Sequence, residues 1–89
     1  MGCGSMNQKL YIVVKVPSIG EEYDMYIPTV KKVGVVRQLI ISLVEEMSDF
    51  NFVDDGCKKL YYQSTGEMLD DNQFVKYSNI RNGTKLILY

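Results

Sequence analysis

Between Thr29 and Ser48 the apolar residues recur at spacings of three and four. Val33, Val36, Ile40, Leu43 and Met47 therefore fall on one face of a helix. Val35, Ile41 and Val44 widen that face, whereas Arg37, Gln38, Glu45 and Glu46 lie away from it. The many β-branched residues would suit a strand. One unbroken periodic run of this length exceeds an ordinary strand, however, so a helix is expected. Leu43 is expected to be buried between this helix and a sheet. Thr29 as N-cap would place Lys31 and Lys32 in the first turn, against the helix dipole, so a start near Val33 is preferred, with an end near Ser48. Gly34 then occupies the first turn, at a cost of about 1 kcal/mol relative to Ala, and Glu45 and Glu46 also oppose the dipole. Packing rather than local preference must hold such a helix.

Elsewhere the pattern alternates. In Lys9 to Val16, residues Leu10, Ile12, Val14 and Val16 face inward and Tyr11, Val13 and Lys15 face outward. Pro17 and Gly20 supply a turn, and Tyr23 to Ile27 returns as a second strand with Asp24 and Tyr26 outward. Asp49 to Cys57 is a polar loop carrying Phe50, Phe52 and Val53. Lys58 to Gln63 is a strand with Leu60 and Tyr62 on one face and Tyr61 on the other. Glu67 to Leu69 reads as a short edge strand, and Asp71 or Asn72 as the cap of a helical turn over Gln73 to Tyr77. Asn82-Gly83 is the strongest turn dipeptide. It leads into Thr84 to Tyr89, with Leu86 and Leu88 inward and Lys85, Ile87 and Tyr89 outward. The last strand is expected to lie parallel to the first, whose apolar character suits a central position. The class is α+β: a mixed sheet of four to five strands packed on one long helix.

Eighty-nine residues make one domain, taken as 8–89, preceded by a tail, 1–7, that reads as an expression scar joined to a native start at Met6. Ten basic and eleven acidic residues are interspersed without a basic stripe, which excludes a nucleic-acid groove. There is no histidine, the commonest acid–base catalyst and zinc ligand. Asp54-Asp55 and Asp70-Asp71 read as solvated turn or cap residues rather than a metal or acid–base site. Cys3 and Cys57 match no metal or redox spacing and read as thiols in a reducing cytoplasm. No apolar run is long enough to insert into a membrane. No catalytic residue, cofactor or metal is expected.

The order of elements, with these residues, resembles the ubiquitin-like β-grasp family across residues 9 to 89. Lys59 to Tyr89 carries it most specifically, with Leu60, Gly66, Leu69, Asp70, Asp71, Val75, Ile80, Leu86 and Leu88 at the expected places. Val30-Lys31-Lys32-Val33 before the helix and Ile80-Arg81-Asn82-Gly83-Thr84-Lys85-Leu86-Ile87-Leu88 at the end are similar to the YukD/EsaB-like bacterial group, with Thr84 in place of that group's Asp. The resemblance implies a non-catalytic accessory or regulatory subunit of a type VII secretion system. Conjugating members of the family end in Gly-Gly, whereas this sequence stops at Ile87-Leu88-Tyr89, so conjugation is not expected. Two alternatives stay open: an interaction domain excised from a larger protein such as a membrane transporter, and a modifier or sulfur carrier cut before its Gly-Gly tail.

The best lead to function lies among the seven tyrosines. Tyr11, Tyr26, Tyr61 and Tyr89 share outward parity on four strands, joined by Val13 and Ile87. Cross-strand aromatic packing on a solvated face is one reading; a protein-binding patch, which would equally serve a homodimer, is the other. The family resemblance adds that Tyr61 and Tyr89 match two apolar residues of ubiquitin's own recognition patch.

Overall fold

The computed structural model describes residues 9–49, 52 and 56–89. The tail 1–7 with Cys3, together with Phe50, Val53 and Asp54-Asp55, lies outside the described residues. Strands β1 (Lys9–Val16) and β2 (Glu21–Pro28) form an antiparallel hairpin with Leu10 opposite Ile27 and Val14 opposite Tyr23. Helix α1 spans Val33–Met47, followed by β3 (Leu60–Tyr62), a 3-10 turn at Val75–Tyr77 and β4 (Thr84–Leu88). The sheet order is β2-β1-β4-β3, with β4 parallel to β1 and antiparallel to β3. The expected parallel pairing of the first and last strands is present, and these two apolar strands hold the centre.

Glu67 to Leu69 does not become a fifth strand. Past Gly66 (φ 77°) the chain touches β3 at one bridge, Met68 to Tyr61, fastened by Tyr62 N–H to the Glu67 carbonyl (2.8 Å) and Leu69 N–H to the Leu60 carbonyl (2.9 Å). The described sheet therefore has four strands.

Ile12, Val14, Val16, Met25, Ile27, Leu60, Leu86 and Leu88 meet Val33, Val36, Ile40, Ile41 and Val44 of the helix in one core. Leu43 is not among them: it stays 38% exposed, and Met47 is also exposed. Residues seven apart drift by about 20° on a straight helix of 3.6 residues per turn. Following Val36 to Leu43 thus steps off the edge of the buried face, whereas Val33, Ile40 and Val44 lie within it. Met47 points between Val36 and Ile40 but is the last residue of the helix. Val35 lies on the exposed side as well. Phe52, placed by its polar surroundings in a loop, is buried, and its N–H donates to the Ser48 hydroxyl at 3.2 Å.

The helix start is capped from far away in sequence. Val33 N–H donates to the Gln73 carbonyl (2.8 Å) and Gly34 N–H to the Asp71 carbonyl (3.0 Å), in place of a side-chain cap. The Arg37 guanidinium grips the Asp71 carboxylate with Nη2 at 3.0 Å and Nε at 3.4 Å, and its Nη1 donates to the Lys58 carbonyl at 3.3 Å. Lys59 Nζ lies 3.8 Å from the same carboxylate. A Cβ on Gly34 would meet the Asp71 Cβ and carbonyl oxygen at 3.3 Å, so the absence of a side chain lets segment 71–73 dock. Asp71 and Asn72 do not cap the 3-10 turn, which follows Phe74 without a side-chain cap. Asp71 is committed to Arg37, and it is Asp70 that stabilises the loop locally, accepting from Asn72 N–H at 2.9 Å.

Candidate functional site

The face of the sheet away from α1 can be laid out from the strand registers. One row runs Tyr26 and Tyr11; the next Asp24, Val13 and Lys85; the third Glu22, Lys15, Ile87 and Tyr61. Pro17 and Tyr89 follow the ends of β1 and β4. All six expected residues, Tyr11, Val13, Tyr26, Tyr61, Ile87 and Tyr89, lie on this face, because alternation along a strand is strict. They do not form one continuous surface. Tyr11 and Lys15 are separated by about 13 Å along β1, so the aromatics split into two diagonal corners with a charged band between them.

In the first corner the Tyr11 and Tyr26 rings approach to 5.7 Å between centroids at 57°. The Tyr11 hydroxyl donates to Asp24 Oδ2 at 3.3 Å. Loss of water around the half-buried Tyr11, then the negative charge of Asp24, hold its phenol above the ordinary tyrosine range. Its backbone is fixed by the Asn82-Gly83 turn: Tyr11 N–H donates to Asn82 Oδ1 (2.9 Å), and Gly83 N–H to the Tyr11 carbonyl (2.6 Å). Tyr11 is thus held by its neighbours, while Tyr26 stays 66% exposed.

The second corner is different. Pro17, Tyr61, Gly66, Ile87 and Tyr89 line a shallow, open apolar groove. Tyr89 is 68% exposed, and Tyr61 and Ile87 are half-buried. Lys15 and Lys85 are exposed beside Ile87 and give the groove a basic margin. The sequence reading missed two lining residues. Pro17 continues the outward parity of Tyr11, Val13 and Lys15 by one step, so extending the alternation past the strand end would have found it. Gly66 arrives through the path of the loop after β3, for which the sequence carries no signal.

Of the Asp70-Asp71 pair, Asp70 accepts from Asn72 N–H and Asp71 is paired with Arg37. Ser78 is buried, donating to the Val75 carbonyl (2.6 Å) and accepting from Ile80 N–H (3.1 Å).

No protein-family model matches this chain, and no curated protein matches it. Solved structures do. The ubiquitin-like domain of an Arabidopsis thaliana protein superposes with a TM-score of 0.67 at 20% identity, over 92% of this chain and 77% of that one. The ubiquitin of Caldiarchaeum subterraneum gives 0.65 at 20% identity over 91% of each chain. A chain of the MycP5-free ESX-5 inner membrane complex gives 0.68 at 16% identity, covering 92% of this chain but 21% of that one. At these identities the likeness is one of fold. With its mixed four-stranded sheet and single crossing helix, the chain has the ubiquitin-like β-grasp fold.

Proposed function

We propose that this chain is a non-catalytic protein-binding module that works as an accessory or regulatory subunit of a type VII secretion apparatus, in the cytoplasm. The observation that carries the binding part is the second corner: an open apolar groove between Tyr61, Ile87 and Tyr89, walled by Pro17 and Gly66. Tyrosine supplies large contact area at little conformational cost and is enriched at interface centres. With Lys15 and Lys85 at its margin, the groove suits a partner segment that offers an apolar side chain flanked by carboxylates.

The secretion part is supported by the sequence resemblance of the helix entry and the last strand to the YukD/EsaB-like group. The presence of this fold in a chain of the ESX-5 inner membrane complex supports it further. That neighbour also favours a second reading, in which this is one domain of a longer membrane-associated protein; among the described residues no helix is long and apolar enough to cross a membrane. The full open reading frame separates the two.

The test is crosslinking capture of the tagged chain in its host, with recovered secretion-system proteins quantified for wild type, Tyr61→Ala and Tyr89→Ala. Wild type should recover them, and each variant should lose about 5–30-fold, the equivalent of about 1–2 kcal/mol. Recovery of no secretion component by the wild type would remove the assignment to that apparatus.

A further inference from the structure

The helix carries a second apolar row that the core does not use. Val35, Leu39, Leu43 and Met47 stand four residues apart and are 49%, 45%, 38% and 45% exposed. At 1.5 Å rise per residue the row is about 18 Å long. It is one i±4n ridge, the kind that interdigitates with the same ridge of another helix in the commonest packing class. The adjacent row, Gln38, Ser42 and Glu46, is exposed and has a small residue at its middle.

The charges along α1 say which helix fits. Lys31 and Lys32 are exposed at its N-terminal end, and Glu46 and Asp49 at its C-terminal end. The first turn holds no acidic residue and the last turn no basic one, so each end carries charge of the sign its own dipole disfavours. An antiparallel second copy reverses this. Its Glu46 and Asp49 approach the Lys31–Lys32 end, its lysines approach the Glu46–Asp49 end, and the two dipoles oppose. A two-fold axis passing midway between Leu39 and Leu43 pairs Leu39 with Leu43 and Val35 with Met47 of the partner copy, an isologous contact.

We infer that α1 is a self-association surface, and that two copies of this chain pair antiparallel through Val35, Leu39, Leu43 and Met47. Because one ridge buries less than a standard interface, the dimer is weak and concentration-dependent. This surface is separate from the groove on the opposite side of the sheet, so a module bound there remains free to pair here.

Sedimentation equilibrium from about 10 μM to about 1 mM, a span chosen to bracket micromolar to millimolar dissociation constants, tests the inference. The wild type should move from monomer to dimer. Leu39→Glu, an exposed position whose variant is checked for folding by circular dichroism, should raise the dissociation constant by about tenfold or more. Lys31→Glu/Lys32→Glu and Glu46→Lys/Asp49→Lys should each weaken self-association, and mixing the two should restore a heterodimer. A wild type that stays monomeric across the range overturns the inference. So does a dimer untouched by Leu39→Glu but lost in Tyr61→Ala, which would place the contact on the sheet.

Discussion

Gly34 shows how a single residue's role depends on a contact across the chain. Alanine would gain about 1 kcal/mol of helix preference there. Asp71 cannot retreat to accept the new methyl, because its carbonyl is held by Gly34 N–H and its carboxylate by Arg37. Overpacking of this kind costs about 1–3 kcal/mol, so Gly34→Ala should lower the urea midpoint; a raised midpoint would show that segment 71–73 yields. Asp49 presents the reverse case. It ends the helix at φ 55°, with its N–H donating to the Glu46 carbonyl, a position glycine occupies more easily. Asp49→Gly should therefore stabilise by about 0.5–1 kcal/mol, measured at low protein concentration, and no gain would mean that the carboxylate contributes there. Tyr11 sets a pH window. Its folded pKa lies above the unfolded value of about 10, so the folded state holds the phenolic proton more tightly. The resulting stability is fully present below pH 10 or so and is lost as pH rises through the folded pKa. Asp24→Asn should bring the Tyr11 ionisation down towards the ordinary value in a resolved NMR titration, and an unchanged midpoint would exclude the Asp24 charge as a cause.

At the scale of elements, period decided what could be read from the sequence. Strand side chains alternate with a period of two, so inward and outward residues of β1, β2 and β4 follow directly from the pattern, and the first strand's boundaries coincide with its apolar run. The helix was legible in extent and in most of its inner face, since Val33, Val36, Ile40, Ile41 and Val44 are buried. A 3.5-residue stripe and a 3.6-residue helix nevertheless diverge by about 20° over two turns, enough to leave Leu43 at the edge of that face. Ile40→Ala should consequently cost about 2–5 kcal/mol, as buried truncations do, and Leu43→Ala less than about 1.5 kcal/mol. Equal losses in denaturation of the two variants at micromolar concentration would return Leu43 to the core. The helix cap was invisible for another reason. Carbonyls of residues 71 and 73 serve donors of residues 33 and 34, and no local signal announces a cap supplied from so far along the chain.

Considered as a whole, the molecule has a sheet with one face closed by α1 and another that is open, and the open face is not uniform. Parity identified its six apolar and aromatic residues, but register divided them: Tyr11 and Tyr26 pack on each other beside Asp24, whereas Tyr61, Ile87 and Tyr89 leave a groove. Register depends on how four strands come together, which no single strand's pattern contains. On the proposed reading, recognition belongs to the groove corner and cross-strand packing to the Tyr11–Tyr26 corner. The most direct measurement is therefore capture of partner proteins by three folded variants, Tyr26→Ala, Tyr61→Ala and Tyr89→Ala, compared with wild type at equal concentration. Loss of the same partners from the Tyr61 and Tyr89 variants, with the Tyr26 variant retaining them, is the expected result. Retention by all three, or loss confined to Tyr26→Ala, would contradict the groove as the binding site.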